Sequence, residues 1–243
     1  MRFLLSLQQD AKLFIYIHAL LMLFRCAFLV IYSGQLGNAG AEDVAEALWL
    51  GARISLKTTA FLVGFPFVFG TIPYALWKKW PAGGIRKILG SVAVGLMTLL
   101  FMVRIPYYEI FHQGFNIMLF NGMKDDRMAI WQTAVQQYQL WPRLFGALAL
   151  MAFFIWGLIK FLETPVYYPR HHVRILDMAA VVMVPVFAVF CRFGGAFHSD
   201  SGVPWESAAR THYTVLNEAV LDDGPAMYLS LIHISEPTRR SYI

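Results

Sequence analysis

Five apolar runs, each close to the roughly 20 residues that a membrane-spanning helix needs, constrain this chain more than any other feature. A helix rises about 1.5 Å per residue, so a run of that length matches a hydrocarbon layer about 30 Å thick. Soluble cores are written instead in short or alternating apolar patterns. The runs cover residues 12–33, 54–77, 88–105, 144–161 and 175–193. Composition agrees, since 58% of the residues are hydrophobic and only 14% charged, against roughly 25% charged in soluble domains. The expected fold is all-α: a polytopic membrane protein with five transmembrane helices over residues 1–198, plus interfacial amphipathic helices.

The first run precedes Ala39 and Ala41, a small-residue pattern of the kind cleaved after signal peptides. Its apolar stretch exceeds the 7–15 residues of a cleaved h-region, so it reads as an uncleaved anchor. Pro66, Pro73 and Pro185 fall inside later runs. Kinks are expected there rather than breaks, because neighbouring helices can satisfy the carbonyls that proline frees.

Charge sets the expected orientation. Arg2 and Lys12, then Lys78, Lys79, Arg86 and Lys87, then Lys160, Arg170 and Arg174 fall on one side of five spans. The other side holds Glu42, Asp43, Glu46, Asp125, Asp126, Asp200, Glu206, Asp222 and Asp223. The positive-inside rule places the N-terminus in the cytoplasm and the C-terminus outside.

Two outer segments carry helical patterns. Met128, Trp131, Val135 and Tyr138 recur at steps of three and four after Asp125 and Asp126, which predicts a helix lying in the interface. Pro204 opens a second pattern in which Trp205, Ala209, His212 and Leu216 share a face, until Asp222, Asp223, Gly224 and Pro225 stop it. Residues 199–229 are therefore expected to form an extracytoplasmic linker helix.

The net charge of +5 raises the question of nucleic acid, but the basic residues cluster in short loops between spans, where orientation accounts for them; no nucleic-acid partner is expected. Cys26 and Cys191 lie in apolar runs with no CxxC spacing and read as buried thiols. Arg25 is the sharpest anomaly, a charge near the middle of the first span, expected to face the bundle interior or snorkel outward. Lys57, Arg104 and Arg192 lie near span ends and read as interface snorkels. Glu109 and His112 have i,i+3 spacing, yet one such pair makes no metal site, and His171 and His172 read as loop residues. No catalytic, cofactor-binding or metal-ligating residue is assigned, because no nucleophile elbow, phosphate-binding glycine loop or HExxH occurs.

Three stretches nevertheless carry a resemblance: VRIPYYEIFHQGFNIMLFNGMKDDRMAIWQTAVQQYQLWP at residues 103–142, GARISLKTTA at 51–60, and RFGGAFHSDSGVPWESAARTHYTVLNEAVLDD at 192–223. Together they resemble the membrane domain of the lipoteichoic acid synthase family, sulfatase-like phosphoglycerol or phosphoethanolamine transferases. The resemblance implies five membrane helices followed by an extracytoplasmic α/β domain holding a threonine nucleophile and a divalent metal, Mn²⁺ or a substitute. It implies membrane lipids, phosphatidylglycerol among them, and that outer domain itself as partners. No catalytic residue maps onto this chain, which is expected to be cut before the catalytic domain. Residues 230–243, SLIHISEPTRRSYI, resemble a translated sequencing-adaptor read-through, so the true sequence is expected to diverge after about residue 229.

The expected function is the membrane anchor of a cell-envelope phosphoglycerol transferase. Two alternatives stay open: a small transporter or channel, against which the absence of internal repeats counts, and a non-catalytic envelope-assembly scaffold.

Overall fold

The computed structural model of the chain describes residues 2–77, 79–115, 140–166, 173–204 and 211–227. The predicted interfacial helix at residues 125–138 lies outside them, as do Lys78, Arg170, His171 and His172.

The described residues are built from helices: α1 (Arg2–Ile31), α2 (Ala41–Pro66), a π-helical turn (Phe67–Thr71), α3 (Ile72–Leu76), α4 (Ala82–Phe111), α5 (Leu140–Glu163), α6 (Val173–Arg192) and α7 (Thr214–Val220). Among the described residues five helical stretches are long and apolar enough to cross a membrane, with α2, the π turn and α3 counting as one. This is an all-α polytopic membrane fold. Its helices outrun the apolar segments, as at α4, where Ala82 to Phe111 replaces the expected 88–105, and at α2, which starts at Ala41 rather than 54. Polar flanks continue a helix beyond the hydrocarbon because every backbone group stays paired. Glu42 and Asp43, expected in a loop, form the first turn of α2, where acids favour the helix dipole. Asp43 also accepts the Gly40 N–H at 2.9 Å.

Helix α1 packs along α2, α4 along α5, and α6 against both α1 and α2. Between helices in lipid, association depends on close packing rather than on expulsion of water. The centre is accordingly filled by Leu13, Ile17, Phe28, Ile54, Val94 and Leu158, each almost wholly buried, while Phe61, Ile88, Phe145 and Trp156 remain exposed on the outside. Phe24 stacks on Phe101 with ring centroids 4.4 Å apart. Gly90 permits a close approach of three helices: a Cβ there would lie 2.9 Å from a Leu13 methyl and 3.2 Å from one of Leu158.

Pro66 ends regular α geometry and the π turn follows it. Pro73, lacking an N–H, leaves the Phe69 carbonyl without its i+4 donor, and the Trp80 indole N–H supplies one at 2.9 Å. The same end of the bundle holds a buried ion pair. Arg86 donates through Nε to Asp10 at 2.6 Å and through Nη2 to the Ser6 and Thr71 hydroxyls at 2.7 and 2.9 Å. Thr71 also donates to Asp10. Arg86, expected among the exposed basic loop residues, is 4% exposed because α4 starts four residues before it. Lys12 caps the far end of α5, donating to the Thr164 carbonyl at 2.6 Å, and Lys87 pairs with Glu163 at 3.0 Å.

Candidate functional site: a buried clasp at the opposite end

The chain that follows the fifth span returns into the bundle. Its route begins with α6, after which Gly194 and Gly195 take positive φ of 65° and 81° and turn the backbone back towards α2. Arg53 donates to the Gly194 and Ser201 carbonyls, each at 2.7 Å, and Lys57 donates to the Val203 carbonyl. Lys57 is thus engaged with the chain rather than lying along lipid, whereas Arg192 is exposed at the end of α6.

Helix α7 is started by a side-chain lock. Asn217 accepts the Thr211 N–H and hydroxyl at 2.8 Å and returns its own amide to the Thr211 carbonyl at 2.8 Å. The helix therefore begins at Thr214, later than the pattern from Pro204 predicts. His212, expected on its apolar face, precedes it in a bend, and residues 205–210 lie outside the described set. Val215, Leu216, Ala219 and Val220 are at most 4% exposed and join the central core. The segment is thus docked into the bundle along α2 and α1.

A seven-residue helix leaves most of its carbonyls without internal donors. Here two arginines take four in succession. Arg25 donates through Nε to the Ala219 carbonyl at 2.8 Å and through Nη2 to that of Val220 at 3.1 Å. Arg104 donates through Nη2 to the Glu218 carbonyl and through Nη1 to that of Leu221 at 3.5 Å. Cations at a helix C-terminus also oppose its dipole.

The same two arginines hold the two carboxylates that follow. Arg25 Nη2 lies 2.7 Å from Asp222 Oδ1, and Arg104 Nη1 lies 2.9 Å from Asp223 Oδ1. Asp222 is completed from α2, accepting Ser55 Oγ at 2.8 Å and Thr58 Oγ1 at 2.7 Å. Arg104 is 6% exposed and its guanidinium sits 4.1 Å over the Phe28 ring. The expectation that it snorkels to the interface is corrected: α4 runs seven residues past it, and its partners come from the returning chain. Arg25 faces the interior, at 4% exposure. Burial pushes the Asp223 and Glu218 carboxyls above their ordinary values, with Arg104 pulling both down. Glu218 also accepts the Gly114 N–H at 2.7 Å, tying in the chain beyond α4.

The run Asp222 to Pro225, expected as a stop, does end α7, and it also starts the helical residues 223–227, where Ala226 N–H bonds the Asp222 carbonyl at 3.0 Å. Sequence reasoning missed the partners of both arginines. One signal pointed to them: Gly51, Ser55 and Thr58 recur at steps of four and three along the second span, the spacing of small residues where helix backbones approach. Gly51 is the seat of the Arg25 guanidinium, since a Cβ there would lie 2.5 Å from Arg25 Cζ.

Glu109 and His112 do not share a helical face. His112 leaves α4 at a φ of 50°, and Glu109 pairs with Arg143 at 3.7 Å. Among the described residues no three His, Cys, Asp or Glu side chains gather to hold a metal, so the divalent ion implied by the resemblance finds no fitting set there. Both oxygens of Asp222 are occupied within the clasp. No family model, no curated protein and no solved structure matches the chain.

Proposed function

We propose that this chain is the membrane-anchoring portion of a cell-envelope phosphoglycerol transferase of the lipoteichoic acid synthase type. Its bundle acts as a mount that fixes where the chain leaves the membrane. One observation carries the reading. The three stretches that bear the family resemblance, far apart in sequence, meet at the clasp: Ser55 and Thr58 from the first, Arg104 from the second, Asp222 and Asp223 from the third. A mount needs its connector fixed, and buried, charge-assisted hydrogen bonds are directional enough to do that.

On this reading the N-terminus and the basic end of the bundle face the cytoplasm, and the clasp faces outward. Chemistry on phosphatidylglycerol would belong to an extracytoplasmic domain with its own threonine and divalent metal, such as Mn²⁺. The test is the genomic continuation of the reading frame after residue 229. A downstream α/β domain with a threonine and metal ligands supports the anchor, and a natural stop codon there overturns it.

A further inference from the structure

The first two spans carry two polar atoms that the fold encloses and leaves without a partner. Among the described residues these are Nδ1 of His18 and Oγ1 of Thr59, besides Nε of Arg104 in the clasp. Thr59 has no exposed surface at all. His18 stands near the middle of α1, about 12 Å along the helix from Asp10 and about 10 Å from Arg25, at 1.5 Å per residue. Lipid offers neither atom a partner, and ionisable side chains at that depth are rare and mark functional positions.

Helix packing sets the two atoms opposite each other. Ser6 meets Thr71 at 2.8 Å near one end of the α1–α2 pair, and Arg25 rests on Gly51 near the other. Twelve residues lead along α1 from Ser6 to His18, and twelve lead back along the second span from Thr71 to Thr59. Seven more reach Arg25 and eight more reach Gly51. His18 and Thr59 therefore face each other in one antiparallel register, yet these two atoms make no bond.

Ser55 accounts for both orphans. Thr98 shows the common fate of a helical threonine, donating to the Val94 carbonyl four residues back at 2.7 Å. The corresponding carbonyl for Thr59 is that of Ser55, and His18 hydrogen-bonds the Ser55 backbone instead. Inside a helix the carbonyl is the group that accepts such a bond, and with Nδ1 unpartnered the donor is Nε2. A neutral imidazole protonated at Nε2 leaves Nδ1 as an acceptor, and the Thr59 hydroxyl facing it can both give and take. The Ser55 hydroxyl in turn donates to Asp222 at 2.8 Å, which ties the pair to the clasp.

From the two facing orphan atoms we infer that one water molecule is held between His18 and Thr59, donating to Nδ1 and bonding the Thr59 hydroxyl. Buried waters sit where they meet two to four otherwise unsatisfied polar groups. An ion does not fit, because the charged groups acting on His18, Asp222 and Arg25, neutralise each other at 2.7 Å. Phe14 stacks on the imidazole and Phe187 of α6 packs against Phe14, so apolar rings bound the site towards α6. The water extends the hydrogen-bond network of the clasp, through Ser55, into the middle of the membrane. This rests on the α1–α2 packing and not on the anchor reading.

The experiment is solid-state NMR on the full chain, labelled with nitrogen-15 at histidine, in phosphatidylcholine bilayers, with magnetisation transferred from water. His18→Gln identifies the His18 signals by subtraction. Nδ1 of His18 is expected to be unprotonated and to receive water magnetisation at short mixing times despite its depth. Thr59→Val keeps the shape of the side chain and should abolish that transfer, whereas Thr59→Ser should keep it. A protonated Nδ1, or a His18 that is dry in the parent protein, overturns the inference whether or not the valine variant folds. Transfer that survives in Thr59→Val, or is lost in Thr59→Ser, removes the hydroxyl from the site and overturns the bridge.

Discussion

Arg25 and Asp222 stand 2.7 Å apart in the folded protein and 197 residues apart in the chain. A pair this buried adds little over an apolar substitute, but removing one partner strands the other charge, at a cost of about 3–5 kcal/mol. Arg25→Leu is therefore expected to lower the unfolding temperature in detergent sharply, and Arg25→Leu with Asp222→Leu to recover much of the loss. A single variant as stable as the parent would show that the clasp does not hold the fold.

Gly51→Ala tests the seat of the guanidinium. The new Cβ would lie 2.5 Å from Arg25 Cζ, and Arg25 cannot swing away without releasing Ser55, Asp222 and two carbonyls. Overpacking of this kind costs about 1–3 kcal/mol. Limited proteolysis should cut the segment at residues 211–227 faster in the variant, while α1 stays intact.

Acid is expected to leave the clasp shut. Burial holds the Asp223 and Glu218 carboxyls above their ordinary 3.8 and 4.5. The folded protein binds these two protons more tightly than the unfolded chain does. Their contribution to stability is fully present below the ordinary values and is lost as pH rises through the raised ones. Amide-exchange protection at residues 215–220 should hold or grow as pH falls from neutrality into that window. Loss of protection there would reverse the sign.

Five spans were legible because hydropathy is a property of consecutive residues. Arg25 was legible too, since a charge inside an apolar run has few places to face. Arg104 and Arg86 were misread for one shared reason: each sits near the edge of its apolar run, and hydropathy cannot see that α4 continues as a helix on both sides. What makes them interior is a partner from elsewhere, Asp223 at a separation of 119 residues and Asp10 at 76. Nothing local in the run Asp222 to Pro225 distinguishes a stop from an anchor point.

Orientation is tested by fusion. A reporter attached after Lys79 should stay cytosolic and one after Asp126 or Asp200 should be exported. Export at Lys79 would invert the bundle.

The chain as it stands should release no diacylglycerol from fluorescent phosphatidylglycerol with Mn²⁺. In-line displacement at phosphorus needs a held nucleophile and charge neutralisation, and among the described residues no three His, Cys, Asp or Glu side chains gather to hold the metal. Release above a detergent blank would reveal a catalytic site within the helices.

The 197 residues between Arg25 and its carboxylate also impose an order on biogenesis. At a synthesis rate of about 5–20 residues per second, roughly 10–40 s pass between the ribosome making Arg25 and making Asp222. Through that interval the first helix is in or near the bilayer with an unmatched guanidinium. The insertion machinery must shelter it, or the helix must ride shallow with its arginine at the water surface. Docking of the last segment is then the step that lets the first helix settle, so a ribosome stalled before Asp222 leaves a nascent protein marked by its own uncompensated charge.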